Sequence, residues 1–199
     1  MNKLIGKDIY LRPLGLSDYE SYREVKTRCH KWLSKWEPTF NGIFQDSFST
    51  PAAFASRIEA VKRGIEKDNY YGFGVFLHDS TFIGEVTIGN IERGPFQCAK
   101  IGSRIDEKYA GRSYTPQAVM LVLEHAFKSL EFFRIEVAVV PRNKASLRVV
   151  EKIGFEFEGI SKEYIEVNGV REDHNRYAIT FAQLLNKIIT IIAENAYHH

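Results

Sequence analysis

The chain has 199 residues, 44% hydrophobic and 26% charged, enough apolar material for one globular domain with a substantial core. Basic side chains number 27 against 25 acidic ones, and the formal net charge of +2 is too small to argue for nucleic acid as a partner. No apolar run reaches the length of a membrane span, and the start M-N-K-L-I-G-K-D lacks a signal-peptide core. Cys29 and Cys98 are far apart and carry no metal-ligand spacing, so both are expected as small, reduced core residues in a cytoplasmic protein.

In chain order, residues 9–13 (I-Y-L-R-P) read as a first strand. Ser17 with Glu20 three residues later is a capping-box pattern, opening a helix to about Cys29. The segment H-K-W-L-S-K-W-E-P-T-F at 30–40 follows, with Pro38 ending any helix. Trp32, Trp36 and Phe40 recur every four residues, which suits a helical edge packed on the core as well as a wall for a substrate pocket. Thr50 and Pro51 start a second helix through roughly Glu66, with Phe54, Ile58, Val61 and Ile65 as its apolar face. Two strand-like runs, 71–77 and 82–88, are separated by H-D-S-T and predict a hairpin. Gly94 and Pro95 break the chain before a further strand at 100–105.

Residues 107–117, E-K-Y-A-G-R-S-Y-T-P-Q, then lead into an amphipathic helix whose apolar positions are Val119, Val122, Leu123, Ala126, Phe127 and Leu130. Thr115 is the expected N-cap and Pro116 the first helical residue. Gly111, Ser113, Lys108 and Arg112 come just before. Free backbone N–H groups, a compact turn and two cations suit a phosphate or pyrophosphate, although an ordinary glycine-containing turn looks the same when taken alone. R-I-E-V-A-V-V, residues 134–140, is nearly continuous in apolar character and predicts a central strand. Asn143 opens a short helix, N-K-A-S-L-R-V-V-E-K-I, stopped by Gly154. Asn168-Gly169 marks a tight hairpin that would pair Glu166 with Arg171 and Tyr164 with Asp173, all on one face. A last helix, about 181–194, carries Leu184, Leu185, Ile188, Ile189 and Ile192.

This succession, with four stretches of sequence, resembles the GCN5-related N-acetyltransferases (GNAT), and among them the RimJ/RimL-type ribosomal-protein N-terminal acetyltransferases. The stretches are W-L-S-K-W-E-P at 32–38, I-G-N-I-E-R-G at 88–94, the loop at 108–113 and N-K-A-S-L-R-V-V-E-K-I-G-F-E-F-E-G at 143–159, with G-V-R-E-D-H at 169–174 in support. The resemblance covers residues 9 to about 179. Its loop pattern is Gln or Arg, two residues, Gly, one residue, then Gly or Ala. Here Lys108 and Ser113 depart from it, while Gly111 keeps it.

The resemblance implies an α/β (α+β) fold: a mixed central sheet of about seven strands flanked by helices and splayed at its centre to hold acetyl-CoA, with residues 181–195 as a helical extension of a single acetyltransferase domain. Cofactor contacts would come from Arg104 and Ile105 on the strand, from Lys108, Ala110, Gly111, Arg112, Ser113 and Tyr114 in the loop, and from Asn143 and Ser146. Ser146 would also be the general acid for the departing thiolate. Asn143 has an ordinary alternative as a helix N-cap. Glu85, then Glu136, are the candidate bases, each with a solvated strand position as its ordinary alternative. Trp36, Glu37, Tyr164 and Asp173 are the candidate acceptor contacts, Asp173 alternatively bonding within its own hairpin.

The acceptor implied is a protein N-terminus, plausibly of a ribosomal protein, or else a small amine, with acceptor choice lodged in residues 30–50 and 164–175. A non-catalytic acyl-CoA-binding module is the further alternative. An α-amine, pKa about 7.7–8.0, is roughly a tenth neutral at pH 7, whereas a lysine is neutral about once in 2,500 molecules. That gap is worth roughly 3.5 kcal/mol, so an N-terminal acceptor asks little of a base. Neither metal, membrane nor nucleic acid is expected, and the chain is expected as a monomer or homodimer. His30, His78, His125 and His174 share no metal-ligand spacing, and His125 reads as a surface residue.

Overall fold

The structure is a computed structural model and describes residues 2–41 and 48–196. Residues 42–47, part of the expected acceptor loop, and the side chains of Ile188 and Ile192 lie outside what it describes.

Eight strands form one sheet in the order β1-β2-β3-β4-β5-β6-β8-β7. They are β1 (Leu4–Ile5), β2 (Ile9–Arg12), β3 (Tyr71–Leu77), β4 (Phe82–Glu92), β5 (Cys98–Ile105), β6 (Arg134–Val139), β7 (Glu156–Val167) and β8 (Val170–Thr180). The expected count of about seven missed β1, two residues too short to show any period. Every ladder is antiparallel except β5 with β6. Helices α1 (Tyr19–Arg28), α2 (His30–Leu33), α3 (Pro51–Glu66), α4 (Tyr114–Lys128), α5 (Lys144–Ile153) and α6 (Phe181–Ala196) complete the fold.

The apolar periods became two cores. On one face, α4 buries Val119, Val122, Leu123, Ala126 and Phe127 against Phe73, Ile83, Ile88, Ala99 and Ile135, with Leu147, Val150 and Ile153 of α5 alongside. On the other face, α1 and α3 set Tyr22, Val25 and Phe54 on Tyr10, Phe76 and Phe82, and Cys29 is fully buried here as expected. Truncating one such aromatic costs about 3–5 kcal/mol. Of the predicted α6 stripe, Leu184 is buried while Leu185 and Ile189 are exposed.

Several local expectations change. The Ser17–Glu20 box does not form: residues 16–18 are a 3₁₀ turn in which Asp18 accepts from the Gly15 N–H at 2.7 Å and is also gripped by Arg12. Trp32, Trp36 and Phe40 do not share a helix edge, because α2 ends at Leu33 and Pro38 instead bridges to Val167. Thr50 caps α3 as predicted, accepting from the Ala53 N–H at 3.1 Å. α4 begins before Thr115: its N-cap is Ser113, with φ +63°, and Pro116 falls inside the first turn, where its missing N–H still costs nothing.

Asn168 and Gly169 have the positive φ values of a tight hairpin turn, and Glu166 pairs Arg171. Beyond that the register shifts: Ile165 faces Glu172 but Ser161 faces His174, so Tyr164 does not pair Asp173. The irregularity leaves Glu163 with φ +45° and turns Tyr164 back over the sheet.

Candidate functional site

The parallel β5–β6 ladder is short. Cys98, Ala99 and Lys100 pair with Arg134, Ile135 and Glu136, and there it stops, although β5 continues to Ile105 and β6 to Val139. The two strands diverge from Lys100 onward, opening a cleft in the middle of the sheet. Among the described residues the β6-facing edge of 101–105 has no strand partner, and Gly102 and Ser103 are exposed. Such an edge offers its N–H and C=O groups to an extended ligand.

The cleft leads to the 106–114 loop. Asp106 is fully buried and holds the loop's root: its carboxylate accepts from the Lys108 N–H at 3.0 Å and from Cys29 Sγ at 3.2 Å, and pairs with Arg28 at 2.6 Å. Burial pushes this carboxyl up, but the Lys108 N–H, the Cys29 thiol and the Arg28 guanidinium outweigh it and hold the group below its ordinary value. The Ala110 N–H is spent on the Glu107 carbonyl, which removes it from the N–H groups expected to face an anion. Gly111 follows with φ +77°, and nothing lies within 4 Å of where a Cβ would sit. Ser113 makes no side-chain bond to the first turn of α4. Its hydroxyl instead accepts from Lys152 of α5 at 3.0 Å. Lys152, unforeseen from the sequence, thus joins Lys108 and Arg112, whose side chains flank the Tyr109 ring. Bare backbone at a helix N-terminus with three cations around it fits a diphosphate.

At the start of α5, Asn143 is buried and accepts from the Ser146 N–H at 3.1 Å, so the N-cap alternative is what forms. That bond uses Oδ1 and leaves the amide NH₂ able to donate. Ser146 is half-buried in the same turn.

Most of the base and acceptor candidates fall into two ion-paired groups, one around Glu85 and Glu37 beside α1 and α3 and one around Glu136 and Tyr164 on β6–β8. Glu85, 2% exposed on β4, is clasped by Arg57 of α3 and by Arg104, its cross-strand neighbour on β5. Arg104 also donates to Tyr22 Oη at 2.8 Å and reaches Glu37 at 3.3 Å, and Glu37 takes Lys26 at 2.5 Å. Burial first, then the charges of Arg104 and Arg57, outweigh Glu37 and lower the Lys26 ammonium below its ordinary value. Glu136 on β6 is held by Arg176 and by Arg134 at 3.1 Å, and Arg134 also grips Glu158. Tyr164 arches over β8 to accept from Lys100 at 2.5 Å, with Arg176 stacked 4.8 Å from its ring and buried His174 against its edge.

Trp36 lies under the Arg142 guanidinium at 4.7 Å, and Arg142 pairs with Glu172 of β8. Thr39 donates to Glu166 at 2.7 Å and accepts from the Gly169 N–H at 3.0 Å. The 36–39 segment is therefore strapped to the β7–β8 hairpin. Asp173 is the exception among the acceptor candidates. It is occupied by Lys162 at 2.7 Å and the Glu163 N–H at 3.0 Å within its own hairpin, and Lys162 holds it below the ordinary carboxylate range. His125 is not a surface residue either: it is half-buried with its ring edge on Phe73, and burial lowers its pKa.

Most of this site was invisible in the sequence. Lys26, Arg57, Lys100 and Arg176 sit in no motif, and Lys152 lies inside the 143–159 stretch with nothing there to mark it as a neighbour of the loop; only the pairing of distant elements brings them in. Among the described residues no group of His, Cys, Asp and Glu could hold a metal, and no helix is long and apolar enough to cross a membrane.

Known proteins resemble this chain in sequence and in fold. Residues 8–156 match the acetyltransferase (GNAT) domain family. The probable N-acetyltransferase YjcK of Bacillus subtilis is 38% identical over 177 residues, covering 88% of this chain and 96% of that protein. The [ribosomal protein uS5]-alanine N-acetyltransferase of Escherichia coli is 27% identical over 150 residues, 75% of each chain. The structure of Mycobacterium smegmatis RimJ in complex with CoA-disulfide superposes with a TM-score of 0.83 at 29% identity, covering 88% of this chain and 83% of that one. The chain belongs to the acetyltransferase (GNAT) domain family and is an N-acetyltransferase that takes its acetyl group from acetyl-CoA.

Proposed function

We propose that this enzyme acetylates the N-terminal amine of a protein, with a ribosomal protein as the preferred acceptor, by direct transfer within a ternary complex. The observation that carries this reading is the state of the three carboxylates beside the cleft. Glu85, Glu136 and Glu37 are each held by two cationic side chains. The oxygens of such a carboxylate are already taken up by charged donors, which leaves little room for an incoming ammonium to hand over its proton. A lysine acceptor would need help worth roughly 3.5 kcal/mol more than an α-amine does. An acceptor already partly neutral at pH 7 suits this cleft, with water carrying off the proton. The likeness to the uS5-alanine enzyme and to RimJ points the same way.

Acetyl-CoA, when bound, supplies an acetyl thioester. Ile105 and its neighbours on the free β5 edge hold the pantetheine arm. The N–H groups after Ala110 would hold the pyrophosphate, with Gly111 permitting close approach and Lys108, Arg112, Ser113, Tyr114 and Lys152 around it. Asn143 donates its amide NH₂ to the cofactor, and Ser146 gives a proton to the leaving thiolate. Arg104 acts by fixing Glu85 and Glu37 in place. Trp36 and Tyr164 wall the acceptor channel.

The test is mass spectrometry of ribosomal proteins from a strain lacking this enzyme. Loss of the acetyl group from one N-terminus, restored by the intact chain but not by Ser146→Ala, is the expected result. N-termini unchanged by the deletion would overturn the proposal in favour of a small amine.

A further inference from the structure

We propose that the acceptor carries a carboxylate close to its amine, read by Lys100 and Tyr164; for a protein N-terminus this means Asp or Glu at the second or third position. The proposal rests on the N-terminal acceptor argued above and adds the charge that the acceptor must bring.

Lys100 stands where the cleft begins, as the last β5 residue paired with β6. Gly102, two residues further on the same face, has no side chain, and Arg104 follows about 13 Å from Lys100 at roughly 3.3 Å per residue. The two cations thus bracket bare sheet at the head of the cleft. Their situations differ. Arg104 is committed to Glu85, Glu37 and Tyr22, whereas Lys100 has no carboxylate within ion-pair distance among the described residues. Its only polar partner there is the Tyr164 hydroxyl, which accepts from it. A phenol that accepts from an ammonium keeps its own proton for another acceptor, and none is present among the described residues.

Beside this pair, Arg176 Nε is buried without a partner, its guanidinium stacked on the Tyr164 ring. The ammonium and the hydroxyl here present spare donors, while Arg176 is paired with Glu136, the cross-strand neighbour of Lys100, and keeps only its Nε–H unused. The neighbouring chain Lys26–Glu37–Arg104–Glu85–Arg57 adds three cations against two carboxylates. A cluster of unspent donors on a cationic face is complementary to an anion with two acceptor oxygens, placed beside the amine that must reach the cleft.

Three peptides identical except for Glu, Gln or Lys at position two, all beginning with Ala, test this against acetyl-CoA. The Glu peptide is expected to exceed the Gln peptide roughly tenfold in kcat/KM, a difference of ~1.4 kcal/mol, expressed in KM, with the Lys peptide slower still. Lys100→Gln and Tyr164→Phe are each expected to narrow that preference to about twofold, and thermal melting checks that both variants are folded. Equal rates for Glu and Gln peptides, or a preference for Lys, overturn the proposal. Should no peptide be acetylated, the N-terminal acceptor fails, and amino acids are compared with their amides. Faster acetylation of the free carboxylates upholds the anion reading, faster acetylation of the amides overturns it, and no transfer to any of these amines overturns both.

Discussion

The two sides of the cleft are built from different materials. On the side proposed for the cofactor the surface is mostly backbone: a strand edge without a partner among the described residues, a positive-φ glycine and a helix start without a side-chain cap. On the acceptor side it is side chains, ions from α1, α3, β4, β5, β6 and β8 knitted pair by pair. A backbone surface depends on conformation and tolerates exchange of its side chains. Lys108 and Ser113 can therefore depart from the family loop pattern while the shape of the loop remains. A side-chain surface has no such tolerance, because removing one ion strands its partners.

The sharpest test of that contrast is Glu85→Ala. It leaves Arg57 and Arg104 facing each other without their shared anion, and a loss of about 3–5 kcal/mol in urea unfolding is expected. A loss below ~1 kcal/mol would mean the network is no more demanding than surface charge. Next in size, Ser146→Ala should slow kcat by about a hundredfold with the dissociation constant for acetyl-CoA nearly unchanged, measured by pre-steady-state transfer and calorimetry. A normal rate would remove Ser146 as the proton donor.

Gly111→Val probes the backbone side. No neighbour stands in the way of the added side chain, so the cost appears when the diphosphate must approach, with some strain from φ +77°. The dissociation constant for CoA should rise at least ~tenfold, while an exchange such as Lys108→Gln should change it only about threefold. Comparable losses for both would erase the distinction between backbone and side-chain surfaces.

A further effect concerns acid. The folded pKa of Asp106 lies below its unfolded value, so its contribution to stability is complete above about pH 4 and disappears as pH falls through the folded value. Asp106→Asn should cost about 1–3 kcal/mol at pH 7 and less near pH 3, read from urea midpoints at both values. An equal cost at both pH values would remove the ionised carboxylate as the cause.

Legibility followed the same division. The strand, loop and helix on the side proposed for the cofactor could be read because their determinants are local: Gly111, the strand before it and the apolar period of α4 lie within one continuous stretch. Even there the finer points came from the structure, since Ser113 rather than Thr115 begins the helix and Ala110 turns its N–H inward. On the side proposed for the acceptor, the fold brings Trp36, Glu37 and Tyr164 into contact with charged side chains beside the cleft. Asp173 stays within its own hairpin, because the register shift between Ser161 and Ile165 breaks the strict alternation from which its face was inferred.

What the sequence determined by itself was the order and type of the long elements, the cap at Thr50, the turn at Asn168-Gly169 and the family. These are set by contacts among residues within a few positions of one another. Only the tertiary structure decided that β5 and β6 part at Lys100, that residues 36–39 are strapped to the β7–β8 hairpin, and that Glu85 is shared between two guanidiniums. The physical reason is that each of these depends on groups tens of residues apart. Their charges and hydrogen bonds take effect only after burial has brought them within a few ångströms of one another.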